Sequence, residues 1–491
     1  MQQRIIKRTG LLRLRQAIVI NHSDLWSRFD CDQAFIDNDY QILHLQDDMK
    51  LRYFYETDYQ DKPDEKYIVV IEEKAFRIPF DIAKGIPVIE LSYEILFPMF
   101  DASALESMPG LDYDHLSFIA DRAAVNNRDR RETTRFCSVE MNTPGWSVEY
   151  AEKLLDDAYT QSQNASTHRE WMRVIKLFGK ASMFEHSGVM LANFREKREG
   201  IEKSFVQWIE AKYAGLHGVS DLRRPVLLSK VNDFIRKGNN KIALLLMDGM
   251  SFEDFYSIQR ESVSAPFTYD VEASFSFFPT VTSVARQCVF SGKLPKELNY
   301  PFSMGNEEKE WQEYWRNHGY KEHEIVFYKG EDPNITPQTK IVGIVIDICD
   351  KLMHDELQGL DGLLQGISNW MKEGTLIRLV SSLHEQGFAV YMTADHGNTA
   401  TIAEGKFTKP GVLADPASRR AVVYQSFADP IELEKFTTTQ YSGTYLPEGY
   451  TAYLFTEGTC YGTPGKEYVT HGGMTLEEAV VPFVKIGEYH G

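Results

Sequence analysis

Three runs constrain the fold more than anything else in the chain: KIALLLM (residues 241–247), KIVGIVI (340–346) and FAVYMTA (388–394). Each is short, apolar and rich in β-formers, with no polar alternation, which predicts strands buried on both faces. Long helical patterns lie between them, so the expectation is a doubly wound α/β sheet with helices on either side. Each run also ends at an acidic residue or soon meets one: Asp248, Asp347 and Asp395. In open α/β sheets the carboxyl ends of the strands are where ligands bind.

The residues at those ends suggest what is bound. Asp248 opens DGMS, and Asp395 and His396 lie in ADHGN, where Gly397 allows a turn that brings both side chains onto one ion. In IVIDICDKLMHDE, Asp350 and His354 are four apart, which puts them on one helix face; Asp347 and Asp355 are the alternatives, because sequence does not fix the helix phase. His471 precedes two glycines in YVTHGGM. Singly, such residues serve as caps and surface ion pairs. Together, three Asp and three His form two sets of oxygen and imidazole ligands, suited to zinc or manganese rather than to a thiolate site. Two cations about 4 Å apart would clamp the attacking and leaving oxygens of a displacement at phosphorus. The stretch FFPTVTSVARQCVFSG (277–292) adds Thr280 and Thr282 where a helix begins. Thr there commonly caps the helix, and the same free N–H groups attract an anion. A hydroxyl touching a cation loses its proton readily and becomes a nucleophile.

Elsewhere YQILHL, KYIVVIEE and GIPVIEL mark a small α/β module, and residues 147–214 carry apolar positions at helical spacing. The turn-rich GLHGVSDLRRP reads as a linker. The division expected is an α/β module over 1–125, a helical region over 126–220 and a catalytic domain over 221–491. No run reaches the roughly 18 apolar residues of a membrane span. The basic, then apolar, amino terminus is broken by Arg13 and Arg15 and lacks a small-residue cleavage site, so a cytoplasmic protein is expected. Five scattered cysteines without a CxxC pair suggest neither a disulfide framework nor a thiolate zinc site. A net charge of −18 repels polyanions over the general surface, so a phosphate-bearing substrate needs a local positive centre, which bound metal ions supply.

DGMS, FPTVTSVARQCVFSG, the D-x-x-x-H pair, TADHGN and THGG resemble, in order and spacing, the PglZ domain, a branch of the alkaline phosphatase superfamily. The likeness is strong over roughly residues 220 to 490, and the regions before it look, more weakly, like those of PglZ proteins of bacterial BREX phage-exclusion loci. The resemblance implies an alkaline phosphatase-like three-layer sandwich with a mostly parallel central sheet. It implies one metal held by Asp248, Thr282, Asp395 and His396, and another by Asp350, His354 and His471. Thr282 is then the nucleophile, with Thr280 as fallback, and Arg286 either steadies a substrate phosphate or pairs with a metal-binding Asp. Related phosphodiesterases often have glycine before the second-site His; Met353 here implies a more fully helical backbone. The implied activity is a two-metal phosphoester hydrolase, with zinc or manganese, acting on diesters such as a nucleotide or oligonucleotide in phage defence. The alternatives are a phosphomonoesterase and a non-catalytic scaffold among other phage-defence proteins. A phosphoglycerate mutase-like transfer lacks its Arg-rich acceptor pocket, and sulfatase chemistry lacks its C/S-x-P-x-R setting.

Overall fold

The basic, then apolar, amino terminus folds as a helix, Gln2–Thr9, followed by a strand, β1 (Gln16–Asn21). With β2 (Gln41–Leu45), β3 (Tyr67–Glu72) and β4 (Val88–Leu91) it forms a parallel sheet of order β2-β3-β1-β4. Successive residues of β1 and β3 serve opposite faces. Ala17, Val19, Ile68 and Val70 enter one core, and Ile18, Tyr67, Val69 and Ile71 the other. The computed structural model describes residues 1–62, 64–72, 76–123, 127–355, 359–407, 418–425 and 433–488, apart from the side chains of Asp355, Gln425 and Glu434. The chain divides after Trp146 into two compact units.

The second unit is built on a six-stranded sheet: β5 (Ile242–Met247), β6 (Phe267–Phe275), β7 (Ile325–Lys329), β8 (Ile341–Ile346), β9 (Ala389–Thr393) and a last strand, Val480–Glu488. The order is β6, the last strand, β9, β5, β8, β7. β9, β5, β8 and β7 are parallel, and the last strand runs antiparallel to both β9 and β6. This is the mixed α/β architecture with a mostly parallel sheet that the three apolar runs predict. The register brings the exits of β5, β8 and β9 to one rim, since Met247 pairs Ile346 and Leu246 pairs Thr393. β6 ends there too, because Phe275 pairs Val480 at the start of the last strand.

Helices α1 (Pro144–Ser162), α2 (His168–Glu185) and α3 (Phe194–Lys212) supply the period seen over 147–214. From Tyr150 onward their apolar faces share one core with the sheet, and the Trp208 ring packs 5.7 Å from that of Phe275. α2 crosses α4 (Phe252–Glu261) at Gly179, where a Cβ would lie 2.6 Å from the Phe252 Cβ. Between ADHGN and THGG the chain adds two three-stranded sheets from strands lying between Thr399 and Thr470. Among the described residues no helix is long and apolar enough to cross a membrane.

Candidate active site

Asp248 leaves β5 with its N–H bonded to Ile346 O at 2.9 Å, and Gly249 turns the chain with φ of 72°. That left-handed conformation suits glycine. Gly249 N–H donates to Asp395 Oδ1 at 3.1 Å, tying the β5 exit to the β9 exit. Asp395 and His396 follow β9 after the single residue Ala394. Gly397 is required for a different reason from the turn that sequence suggests: its φ is not positive, but a Cβ would sit 1.9 Å from the Glu477 carbonyl oxygen. Asp350 and His354 lie on α7 (Ile348–Asp355), a continuous helix through Met353, with Asp350 Oδ1 3.2 Å from His354 Nε2. Asp350 N–H donates to Asp248 O at 3.2 Å, so the exits of β5 and β8 are also joined. Asp347 instead pairs with Lys351 at 2.8 Å, and the Asp355 side chain lies outside the described residues.

Two groups of ligating side chains result: Asp248 with Asp395 and His396, and Asp350 with His354 and His471. Within each group the donor atoms lie within 4.8 Å of one another. The groups adjoin, for the His396 and His471 rings stack at 4.1 Å with planes 11° apart. The first group is fully buried; in the second His471 is buried, Asp350 half-buried and His354 exposed, so the site opens to solvent past His354. Both imidazoles are braced from behind. His396 Nδ1 is 2.9 Å from Gly397 O, and His471 Nδ1 is 2.9 Å from Thr280 O. An Nδ1–H donating to a carbonyl leaves Nε2 unprotonated, the form that ligates metal.

Thr282 begins α5 (Thr282–Ser291) and its Oγ1 lies 2.9 Å from His396 Nε2. The Thr280 hydroxyl is engaged elsewhere, donating to Gly473 O and accepting from Gly472 N–H, both at 3.0 Å. Arg286, one turn along α5, reaches Asp248 Oδ2 at 2.9 Å. Burial opposes its charge, but Asp248, Asp395, Glu307 and Asp350 outweigh that and raise its pKa.

The donor chemistry fits divalent cations. Asp248 Oδ1 and Asp395 Oδ2 are buried with no hydrogen-bond partner, a costly state for carboxylates that a cation would relieve. Burial, then the neighbouring Asp395, pushes the Asp248 carboxyl well above the carboxylate range. Burial also raises Asp350, yet the His354 hydrogen bond and nearby imidazoles outweigh it and hold Asp350 low.

Supporting residues emerge that the sequence reading did not single out. Asn398 Nδ2 donates to Gly249 O at 2.8 Å and also to Asp254 Oδ2, while Asp254 closes a capping box with Ser251. Glu478 accepts from Gly473 N–H, Thr475 and Arg420. The patterns S-x-x-D at 251–254 and T-x-x-E at 475–478 are readable capping signals. Glu307, 3.6 Å from Arg286 Nε, has no such local signal, because NEEKE reads as a solvated helix start.

Residues 226–486 match the family model for the BREX system PglZ alkaline phosphatase-like domain. No curated protein matches the chain. Among solved structures, murine ectonucleotide pyrophosphatase/phosphodiesterase 5 is 12% identical with a TM-score of 0.36, over 50% of this chain and 88% of that one. Phosphonoacetate hydrolase from Sinorhizobium meliloti 1021, in complex with phosphonoformate, is 12% identical with a TM-score of 0.37, over 50% and 90%. The human phosphodiesterase 5 counterpart is 14% identical with a TM-score of 0.36, over 50% and 87%.

Proposed function

Because the chain belongs to the family of BREX-system PglZ alkaline phosphatase-like domains, we propose that it is a two-metal phosphodiesterase working through Thr282 on a nucleotide or oligonucleotide. The observation that carries this reading is the meeting of two three-residue ligand groups beside the Thr282 hydroxyl. Asp248, Asp395 and His396, with Thr282, would hold one divalent cation, and Asp350, His354 and His471 the other. Zinc suits the mixed carboxylate and imidazole donors, and manganese is the second choice. Bound there, the cations supply Lewis acidity that eases loss of the threonine proton and stabilises charge on the leaving oxygen.

The chain's own groups do the rest. His396 and His471 present Nε2 to the site because their Nδ1 atoms are committed to carbonyls. Thr282 Oγ1 attacks phosphorus in line and one ester oxygen departs, taking up the threonine's proton as the free alcohol and leaving a phosphodiester between Thr282 and the rest of the substrate. Water then cleaves the bond from Thr282 to phosphorus, releasing a phosphomonoester and returning the hydroxyl. Arg286 binds a phosphoryl oxygen, which its charged guanidinium at Asp248 favours. Burial of the first ligand group excludes water from the nucleophile, and the exposed His354 side admits the substrate. The family suggests a place among other phage-defence proteins, and the scattered cysteines agree with a cytoplasmic setting.

Bound zinc is counted in the purified protein, and hydrolysis of bis(p-nitrophenyl) phosphate is compared with that of p-nitrophenyl phosphate for the parent and Thr282→Ala. Two zinc ions per chain, diester cleavage and a loss of at least about a thousandfold in Thr282→Ala are expected. A monoester preference would make it a phosphomonoesterase. Absence of zinc, with neither ester cleaved after zinc or manganese is added, would leave a non-catalytic scaffold.

A further inference from the structure

Arg286 lies among three carboxylates: Asp248 at 2.9 Å, Glu307 at 3.6 Å and Asp395 at 3.8 Å. Two of these are the residues read above as metal ligands, and the inference rests on that reading. Once Asp248 and Asp395 serve a cation, Glu307 is the partner left to the guanidinium among these three. Glu307 is the first residue of α6 (Glu307–Asn317) and is 1% exposed. Its Oε2 and the Arg286 Nε are both buried without a hydrogen bond. Lys329, at the carboxyl end of β7 and on the same rim as the metal ligands, brings its Nζ to 3.7 Å from that Oε2. A buried carboxylate needs a well-placed partner, and one facing a guanidinium just beyond bonding distance is set to close on it when the competing carboxylates are taken.

We propose that Glu307 is a positioning residue: it holds the Nε edge of Arg286 so that the guanidinium's outer N–H groups face a phosphoryl oxygen when the metal sites are filled. A guanidinium carries five donors in a rigid fork, so fixing one edge aims the others. The ligand class is a phosphate or phosphodiester with two non-bridging oxygens, one of them on Arg286. Glu307 touches neither substrate nor cation and acts through Arg286 alone.

The test uses the full chain loaded with zinc, with inorganic phosphate binding followed by calorimetry, metal content by emission spectroscopy, and diester kinetics in parallel. Glu307→Gln is expected to weaken phosphate binding and raise KM about tenfold, with kcat changed by less than about threefold and zinc content unchanged. In an Arg286→Ala background the same substitution is expected to change phosphate affinity by less than about twofold, because its only route is gone. Unchanged phosphate affinity in Glu307→Gln, an equal loss in the Arg286→Ala background, or loss of zinc would each overturn the inference, the last by making Glu307 a ligand. Should Glu307→Gln fail to fold by thermal melting, Glu307→Asp, with its carboxylate drawn back by one methylene, decides by the same criteria. A parent that binds zinc and phosphate yet cleaves no ester would remove the proposed activity while calorimetry still judges Glu307. A parent that binds no zinc would remove both.

Discussion

Thr280 and Thr282 stand two residues apart, and their surroundings give them different work. Thr282 faces the His396 imidazole, whereas the Thr280 hydroxyl bridges Gly472 and Gly473 and its carbonyl fixes His471. The fallback nucleophile is therefore better read as a brace for the second ligand group. Thr280→Val keeps the shape and the carbonyl but orphans a buried N–H and C=O, which costs about 1–3 kcal/mol. The expected outcome is weaker zinc binding at the His471 group and low diester turnover that recovers with excess zinc. Thr282→Val should instead stay inactive at any zinc concentration. A zinc titration of turnover in the two variants tells them apart, and an inactive Thr280→Val that zinc does not rescue would return the nucleophile's role to Thr280.

At the scale of elements, the site is made by three strand exits held in register and then stitched together. Asn398 is the stitch between the β5 turn and the loop after β9, through Gly249 O and Asp254. Asn398→Ala should lower stability by about 1–3 kcal/mol and loosen zinc at the Asp248 group, read by denaturant melts with and without zinc. If the zinc increment matched the parent's, the stitch would serve the fold alone. The same scale shows what the sequence made legible. β5, β8 and β9 were readable because strands covered on both faces are continuously apolar, and the closeness of the pairs 350/354 and 395/396 because each is local. β6 was not, since FTYDVEASF carries an exposed Asp270 and a half-buried Glu272. The last strand contains Pro482, a residue that argues against an interior strand, yet its pairing with β9 begins only at Phe483. β1 was hidden behind the basic segment preceding it. The boundary after Trp146 falls in the first turn of α1, and periodicity, which shows a helix, does not show which core the helix joins. Asp254 and Glu478 are readable as caps, but their bonds to Asn398 and Arg420, like the approach of Glu307 to Arg286, join segments far apart in sequence, where no spacing rule reaches.

For the whole molecule, the buried acids set how stability responds to pH and metal. Burial pushes Asp254 up to about 6, and burial also raises Asp248 and Glu253 well above the carboxylate range. The folded chain then holds protons that the unfolded chain has released, so stability falls as pH rises from about 4, the ordinary carboxylate value, through 6 and beyond. Carboxylates held low, such as Asp121 at about 2 beside Lys7, act in the opposite sense but below pH 4; His168 and His186, held low by burial, oppose the trend within the window and are outnumbered by Asp254, Asp248, Glu253 and Glu202. A cation held by Asp248 would counter the effect there, because ligation requires the ionised carboxylate and expels its proton. The metal-free protein should therefore melt at a lower temperature at pH 7.5 than at pH 5.5, while zinc should raise the melting temperature more at pH 7.5. Asp254→Asn, which keeps an acceptor for Ser251 and Asn398, should reduce the metal-free loss of stability between acid and neutral pH by about 3 kcal/mol at most. Asp248→Asn should instead shrink the zinc increment and its dependence on pH. Scanning calorimetry at constant ionic strength reads all four quantities, and a zinc increment equal at both pH values would mean that the buried Asp248 carboxyl is already ionised before any cation arrives.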